Sequence, residues 1–305
     1  MTTGAHGNRP TRNQQREAAR AKAKELRENT AKSDKRKKWI MQGLIVVGVL
    51  VVAAIIAIPI TQAANNAKGF VRPANMATNG AILAGANMNV LTSDAGADGS
   101  AGLPTTDAPV KGAVNIVLYE DYLCPACKAF DDANSSTLET LVKSGAATLN
   151  IQPIGMLWQK SAGTEYSRRA ANAAACVATY SPNSFWAVNQ AFYANQPAEG
   201  TTGLTDAQIV ELVKGAGVQN ADAVSSCITG KTFVPWVKAA TDAALNGPMT
   251  SAAKAAGASG AGTPTVLVNG QMYTGSITDP KAFSAFVLKA AGSSNTTATA
   301  TPAAG

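Results

Sequence analysis

The residues best suited to chemistry in this chain are two cysteines, Cys124 and Cys127, three positions apart. They follow the apolar run 114–119, which predicts a buried strand, and the segment 127–143 predicts a helix. Two thiols at this spacing can exchange with a disulfide, supply half of a zinc site or form a short structural crosslink. Other features of the sequence are needed to choose among these three chemistries.

Neither a zinc site nor a structural crosslink explains the pair well. A zinc site needs four ligands at close quarters, but the chain has no second Cys-x-x-Cys pair and its single histidine is His6. The same shortage of histidine argues against Ser-His-Asp and Cys-His catalysis. A crosslink across so few residues constrains the unfolded chain little. A redox pair is therefore favoured, and no metal is predicted.

The expected position at the start of a helix suits thiol chemistry. Unpaired backbone N–H groups and the helix dipole stabilise a negative charge there, and Pro125 fits the first helical turn because it has no N–H to leave unpaired. We therefore expect Cys124 to be the nucleophile and Cys127 to be the resolving thiol.

The basic residues of the chain are concentrated at its N-terminus. The formal net charge is +7, and residues 1–38 hold 12 Lys and Arg against 4 Asp and Glu, so the rest is nearly neutral. Residues 39–60 carry no charge and, as a helix, can span the roughly 30 Å core of a bilayer. The positive-inside rule then predicts a disordered cytoplasmic tail at 1–38, a transmembrane helix at 39–60 and an extracytoplasmic remainder.

Two other interpretations of this region stay open. The chain could be cut near residues 63–67, although the apolar segment is longer than the 7 to 15 residues or so of a signal peptide. The basic tail could instead bind nucleic acid, but its position already suits membrane topology and anionic lipid headgroups. All four cysteines follow the apolar segment, and an even number in an oxidising compartment favours two disulfides.

The sequence after residue 60, which is expected outside the membrane, predicts one folded domain of the α/β class. A polar linker is expected at 61–75, a folded domain at 76–291 and a disordered tail at 292–305. Within the domain, a strand–helix–strand unit precedes a helical insertion at about 160–250, and two strands and a helix follow it. The strands are predicted at 80–85, 114–119, 147–154, 265–268 and 271–274, and the helices at 127–143, 165–180, 185–194, 205–214, 221–229, 233–245 and 279–291.

Three features together resemble one protein family. They are YEDYLCPACKAF (119–130) at a strand-to-helix turn, the long helical insertion, and GTPTVLVNG (262–270). This combination is similar to membrane-anchored, DsbA-like thiol-disulfide oxidoreductases of the thioredoxin superfamily, of the actinobacterial type. The resemblance covers roughly residues 80–291 and implies a thioredoxin-like fold with a helical insertion.

The resemblance also implies an active site. Cys124 and Cys127 would cycle between disulfide and dithiol, with Pro125 and Ala126 between them and no cofactor other than this redox-active disulfide. In this family the proline at Pro264 is cis and lies opposite the cysteines. The backbone of Thr263 would then pair with an extended substrate segment.

The implied partners are reduced or unfolded exported proteins and a quinone-linked membrane oxidase resembling DsbB or vitamin K epoxide reductase. The protein would be a single-pass component of the cell membrane with its catalytic domain outside. A disulfide reductase or isomerase of the same fold is an alternative function. A non-catalytic thioredoxin-fold binding module is another.

Two positions depart from the family pattern. Many relatives carry a buried acid six residues before the first cysteine, where this chain has Leu118, and Glu120 and Asp121 need not point inward. The residue before the second cysteine is Ala126 rather than histidine, so one donor to the thiolate is missing. We expect a weaker oxidant than the strongest members of the family.

The remaining cysteines, Cys176 and Cys227, both fall in the helical insertion. A bridge between them would close a long loop and stabilise the fold by about 4 kcal/mol in the chain-entropy model. We interpret them as a structural disulfide, with an auxiliary redox role as the alternative.

Overall fold

The structure is a computed structural model that describes residues 70–93 and 110–297, with side chains as far as residue 292. The predicted basic tail (1–38), the predicted transmembrane helix (39–60) and most of the predicted linker lie outside these ranges. Within them, no helix combines the length and the apolar character needed to cross a bilayer.

A six-stranded sheet forms the centre of the domain, in the order β2-β1-β4-β3-β5-β6. Strands β3 and β4 are parallel, and every other pair is antiparallel. The strands are β1 (Ala81–Ala84), β2 (Asn89–Val90), β3 (Val114–Glu120), β4 (Ala147–Pro153), β5 (Thr265–Val268) and β6 (Gln271–Met272).

The two central strands are buried along their whole length, because helices cover both faces of the sheet. All seven residues of β3 and all seven of β4 are buried, and a continuous apolar run such as VNIVLY is typical of a parallel strand in this position. Their register pairs Val114 with Ala147 and Glu120 with Pro153. The end of β3 is thus fixed in the middle of the sheet, directly before the cysteine pair.

Eight helices are found in the described ranges, six of them between β4 and β5. The helical insertion and the α/β class predicted from the sequence are therefore observed. The helices are α1 (Pro125–Lys143), α2 (Tyr166–Tyr180), α3 (Phe185–Ala194), α4 (Asp206–Gly215), α5 (Ala221–Thr229), α6 (Val234–Leu245), α7 (Pro248–Ala255) and α8 (Pro280–Thr297).

Three elements differ from the sequence prediction. Strand β2 and helix α7 were not predicted: β2 has only two residues, and α7 reads PMTSAAKA, with few large apolar residues to mark a period. Helix α8 continues to Thr297, beyond residue 291, where the prediction ends the helix and begins a disordered tail. Residues 298–305 of that predicted tail lie outside the description.

A disulfide joins Cys176 on α2 to Cys227 on α5. Their Cα atoms are 5.8 Å apart and 51 residues separate them in sequence. Both cysteines are buried in the main core. This is the pairing that the sequence suggested, and it links two helices of the insertion.

We expect replacement of this disulfide to lower stability strongly. The Cys176→Ala/Cys227→Ala variant should lose about 4 kcal/mol of unfolding free energy, because the unfolded chain is no longer crosslinked. Urea denaturation under non-reducing conditions measures this loss. The single variants Cys176→Ala and Cys227→Ala are matched controls, since each breaks the same bond. Losses that add up in the double variant would contradict a single shared crosslink.

Candidate active site

Both cysteines of the Cys-Pro-Ala-Cys segment lie at the N-terminus of α1, between the end of β3 and the first helical turn. Cys124 is the residue that caps the helix, with an extended backbone, and Pro125 occupies the first turn. Cys124 and Cys127 are both free thiols in this structure. Cys124 is 7% exposed and Cys127 only 2%, so Cys124 is the more accessible of two largely buried sulfurs.

The cysteines face the segment before β5. The Thr263–Pro264 peptide bond is cis, and the Cys124 sulfur lies 3.3 Å from the carbonyl oxygen of Thr263, to which it donates a hydrogen bond when it is protonated. Strand β5 pairs with β3 from Tyr119 to Ile116, which holds this segment beside the cysteines. Pro125 is exposed, and Ala126, Thr263 and Pro264 are partly exposed around Cys124.

The pKa of Cys124 is lowered to about 6. The largest cause is the hydrogen bond from the Cys127 thiol, and the Thr263 side chain and the backbone N–H groups of Cys127 and Ala126 act in the same direction against burial. A helix N-terminus favours the thiolate for the same reason. At neutral pH Cys124 is therefore mainly a thiolate, the reactive form of a thiol.

Cys127 has the opposite character. Burial raises the pKa of Cys127 well above its usual value, and the hydrogen bond to Cys124, the charge of Cys124 and the charge of Glu120 raise it further. The backbone of Asp121 acts against this rise. One sulfur of the pair thus holds the charge, while the other holds the proton.

Glu120 is buried beside the cysteines, a feature that the sequence left open. Its side chain is 2% exposed, and burial raises its pKa well above the usual range, with the charge of Asp131 as the next cause. The Tyr193 hydroxyl lies near enough to favour the charged carboxylate, yet the two groups do not meet hydrogen-bond geometry. Leu118, six residues before Cys124, is a core residue of the sheet.

The side chain of Asp121 connects the loop before Cys124 with the helical insertion through hydrogen bonds. Its carboxylate accepts hydrogen bonds from the backbone N–H of Leu123 (2.9 Å), the backbone N–H of Leu157 (2.8 Å) and the hydroxyl of Ser167 (2.5 Å). The backbone N–H of Cys124 donates to the Asp121 carbonyl oxygen at 2.9 Å. This fully buried side chain thus connects the loop with α2 and with the segment that follows β4.

Gln196 provides a second link from the insertion to the site. Its side-chain amide donates a 3.0 Å hydrogen bond to the carbonyl oxygen of Cys124. Nothing in the sequence pattern singles out this residue, because it lies in a short polar loop after α3. In the described ranges no cluster of three or more His, Cys, Asp or Glu residues is arranged to hold a metal.

We expect the Cys124 thiolate to form at a pH far below the pKa of an ordinary thiol. In the reduced protein, thiolate absorbance should rise with a midpoint near pH 6, and Cys124→Ser should abolish that transition. Cys127→Ser keeps a hydrogen-bond donor and should change the midpoint little, whereas Cys127→Ala removes the donor and should raise it. A wild-type midpoint near the usual value of 9.0 would contradict this explanation.

We also expect Asp121 to be essential for the stability of the loop. The Asp121→Asn variant retains the size of the side chain but places an amide against the N–H of Leu157, and it should cost about 1 to 3 kcal/mol of unfolding free energy. Asp132→Asn, at a side chain that is 58% exposed, is the matched control and should be nearly neutral. Equal denaturation midpoints for the two variants would show that the Asp121 hydrogen bonds contribute nothing.

The chain is similar to a known protein family and to several solved structures. A family model described as thioredoxin matches residues 106–289. The structure is similar to reduced DsbA from Mycobacterium tuberculosis, at 28% identity and a TM-score of 0.50 over 72% of this chain and 100% of that chain. It is also similar to reduced DsbG from the same organism (31% identity, TM-score 0.47, 62% of this chain and 86% of that chain).

Oxidised BdbD from Bacillus subtilis shares the fold at 18% identity, with a TM-score of 0.50 over 73% of this chain and 98% of that chain. A search of curated protein sequences found no match. The family match covers more than half of the chain and includes both cysteines and Pro264. The chain therefore belongs to the thioredoxin family, and it is a DsbA-like protein thiol-disulfide oxidoreductase.

Proposed function

We propose that this protein is an extracytoplasmic oxidase that introduces disulfides into exported proteins through Cys124 and Cys127. The observation that carries the proposal is the difference between the two thiols, since the pKa of Cys124 is about 6 and that of Cys127 is well above the usual value. A stabilised thiolate favours the reduced protein. The corresponding disulfide is then a good oxidant.

The first chemical step forms a mixed disulfide. A substrate thiolate attacks the sulfur of Cys124, the substrate–Cys124 bond forms, and the Cys124–Cys127 bond breaks. Cys127 leaves as a thiolate, and because its pKa is high it takes up a proton. Glu120, a buried carboxyl group whose pKa burial raises well above its usual range, is the acid that supplies this proton when it is protonated.

The second step releases the oxidised substrate. A second substrate thiolate attacks the substrate sulfur of the mixed disulfide, a substrate disulfide forms, and Cys124 leaves as a thiolate. Two electrons pass from the two substrate thiolates to the cysteine pair. Cys124 is a good leaving group because the helix N-terminus and the Cys127 thiol stabilise its charge.

The surface around Cys124 suits an extended polypeptide. Thr263 and Pro264 lie beside the Cys124 sulfur at the end of a sheet strand, where an incoming segment can pair with backbone groups. Pro125 and Ala126 border the sulfur on the other side. An unfolded client protein would bring its cysteine to this surface.

The cellular setting of the proposal follows from the sequence. Residues 39–60 would anchor the protein in the membrane, with residues 1–38 in the cytoplasm and the domain outside. The reduced pair would be reoxidised by a quinone-linked membrane oxidase resembling DsbB or vitamin K epoxide reductase. An anchored domain would be held close to such a partner.

Cysteine variants should separate the role of Cys124 in forming the mixed disulfide from the role of Cys127 in resolving it. Cys124→Ser should abolish oxidation of a reduced, unfolded substrate, because no mixed disulfide can form. Cys127→Ser should instead accumulate mixed disulfides on Cys124, because the resolving thiol is missing. The Cys176→Ala/Cys227→Ala variant, at a temperature where it remains folded, is the control and should retain exchange.

Non-reducing electrophoresis and mass spectrometry of cells that express Cys127→Ser identify the trapped partners. Exported proteins that contain cysteine are the expected partners. If Cys127→Ser traps no protein, or Cys124→Ser still oxidises the substrate, the proposed function is wrong.

A further inference from the structure

The loop that follows α3 brings one polar side chain against the nucleophilic cysteine, and the steps above do not use it. Gln196 lies two residues after the end of α3, and its side-chain amide donates a 3.0 Å hydrogen bond to the carbonyl oxygen of Cys124. Helix α1 already supplies a donor to this oxygen, because the backbone N–H of Lys128 lies 3.2 Å from it. The contact with Gln196 is therefore additional to the bond that the helix itself requires.

The loop is attached to the rest of the domain at Gln196 and again beyond it. The backbone N–H of Gln196 donates to the carbonyl oxygen of Tyr193 at 3.3 Å, which extends the last turn of α3. Further along, the N–H of Gly200 donates to the carbonyl oxygen of Lys160 at 2.7 Å. Gln196 is thus held in place before a client binds, so a contact with it requires little further ordering of the protein.

Gln196 also lies at the protein surface. It is half-buried together with Pro197, and the next residue, Ala198, is exposed. Pro125, the residue directly after Cys124, is exposed as well. A polypeptide whose cysteine reaches the Cys124 sulfur therefore passes close to this loop.

The side-chain amide of Gln196 has hydrogen-bonding capacity that the described residues do not use. A glutamine side chain carries two N–H donors and a carbonyl oxygen that accepts hydrogen bonds. Because its partner on Cys124 is an oxygen, the amide nitrogen must face Cys124, which assigns the other position to Oε1. In the described ranges no donor is bonded to Oε1. This oxygen is available to a donor on a bound client.

Thr263 and Gln196 contact different groups of the same cysteine. The carbonyl oxygen of Thr263 lies 3.3 Å from the Cys124 sulfur, and Gln196 binds the Cys124 carbonyl oxygen at 3.0 Å. Since both groups belong to one residue, the two contacts are separated by a distance on the order of 10 Å, the length of about three residues of extended chain. An extended client that pairs with Thr263 on one side of its cysteine reaches Gln196 with the adjoining residues.

We propose that Gln196 is a client-binding residue whose Oε1 accepts a hydrogen bond from a backbone N–H beside the client cysteine, while its amide nitrogen holds the Cys124 carbonyl group. The inference rests on the proposed function and specifies the substrate of that site as an extended polypeptide. Every residue except proline has a backbone N–H, so the contact does not depend on the side chains of the client. A small thiol without a peptide group gains nothing from it.

The experiment compares two substrates of the oxidised full-length protein. One is an unfolded peptide with two cysteines, and the other is dithiothreitol, which has two thiols and no peptide group. The single-turnover loss of substrate thiols gives a second-order rate constant for each. The readout is the ratio of the peptide rate constant to the dithiothreitol rate constant. An effect of Gln196 on the reactivity of Cys124 itself changes both rate constants and cancels in this ratio.

Gln196→Met removes the hydrogen-bonding groups and retains the length of the side chain. It should lower the peptide-to-dithiothreitol ratio about fivefold, the effect of one neutral hydrogen bond. Gln219→Met is the matched control, since Gln219 is exposed in the loop between α4 and α5, and it should retain the wild-type ratio. Equal ratios for Gln196→Met and wild type would overturn the inference and leave Gln196 only a role in positioning Cys124.

Changes in the client test the same hydrogen bond from the other side. In a series of peptides, each N-methylated at one backbone position near the first cysteine, one methyl group should lower the wild-type rate constant about fivefold. In Gln196→Met the same methyl group should have no effect, because the bond that it removes is already absent. Equal losses in the two proteins at every position would contradict the contact.

A second variant keeps the test valid if Gln196→Met folds poorly. Gln196→Asn retains the amide, but its side chain is one methylene shorter and cannot bond both Cys124 and the client, so it should lower the same ratio. A wild-type ratio in Gln196→Asn would count against the inference. The proposed function fails separately, if neither the peptide nor dithiothreitol reduces the Cys124–Cys127 disulfide of the wild-type protein.

Discussion

The negative charge on the Cys124 sulfur is the feature on which the rest of this structure depends. A thiolate needs hydrogen-bond donors in a largely buried position, and α1 supplies the backbone N–H groups of Ala126 and Cys127 at its first turn. The Cys127 thiol is the strongest donor, and it can donate only because its own proton is held tightly. The reactivity of one sulfur is therefore a consequence of the burial of the other.

The surrounding fold keeps these donors in place. Strand β3 is paired on both sides, with β4 and β5, so the point where the chain leaves the sheet toward Cys124 is fixed. The helical insertion also contributes directly. Ser167 binds Asp121 in the loop before Cys124, and Gln196 binds the carbonyl oxygen of Cys124. The insertion thus positions the redox pair as well as covering the sheet.

Much of this arrangement could be predicted from the sequence, because its strongest signals are local. A β-branched run, a Cys-Pro-Ala-Cys segment and a following helix specify a thiol pair at a helix start. Thr263 and Pro264, far away in the sequence, required the family resemblance. Residues 39–60 gave an equally clear pattern for a membrane helix, but that segment lies outside the described ranges.

The polar side chains around the pair could not be predicted, since their roles depend on tertiary contacts. Glu120 and Asp121 follow one another at the end of a strand, and both are buried. The alternation of buried and exposed side chains that is typical of a half-buried strand therefore does not predict their burial. Asp131 and Asp132 are neighbours on α1, and only the three-dimensional structure shows that the first is buried and the second exposed. Gln196 carries no sequence signal at all.

The reduction potential of the Cys124–Cys127 pair in the full-length protein tests the central claim most directly. Equilibration with glutathione buffers, followed by mass spectrometry to separate this pair from Cys176–Cys227, gives the value. If the stabilised Cys124 thiolate makes the disulfide an oxidant, the potential should lie at roughly −120 to −180 mV. A potential near about −270 mV, that of a reductase, would contradict it.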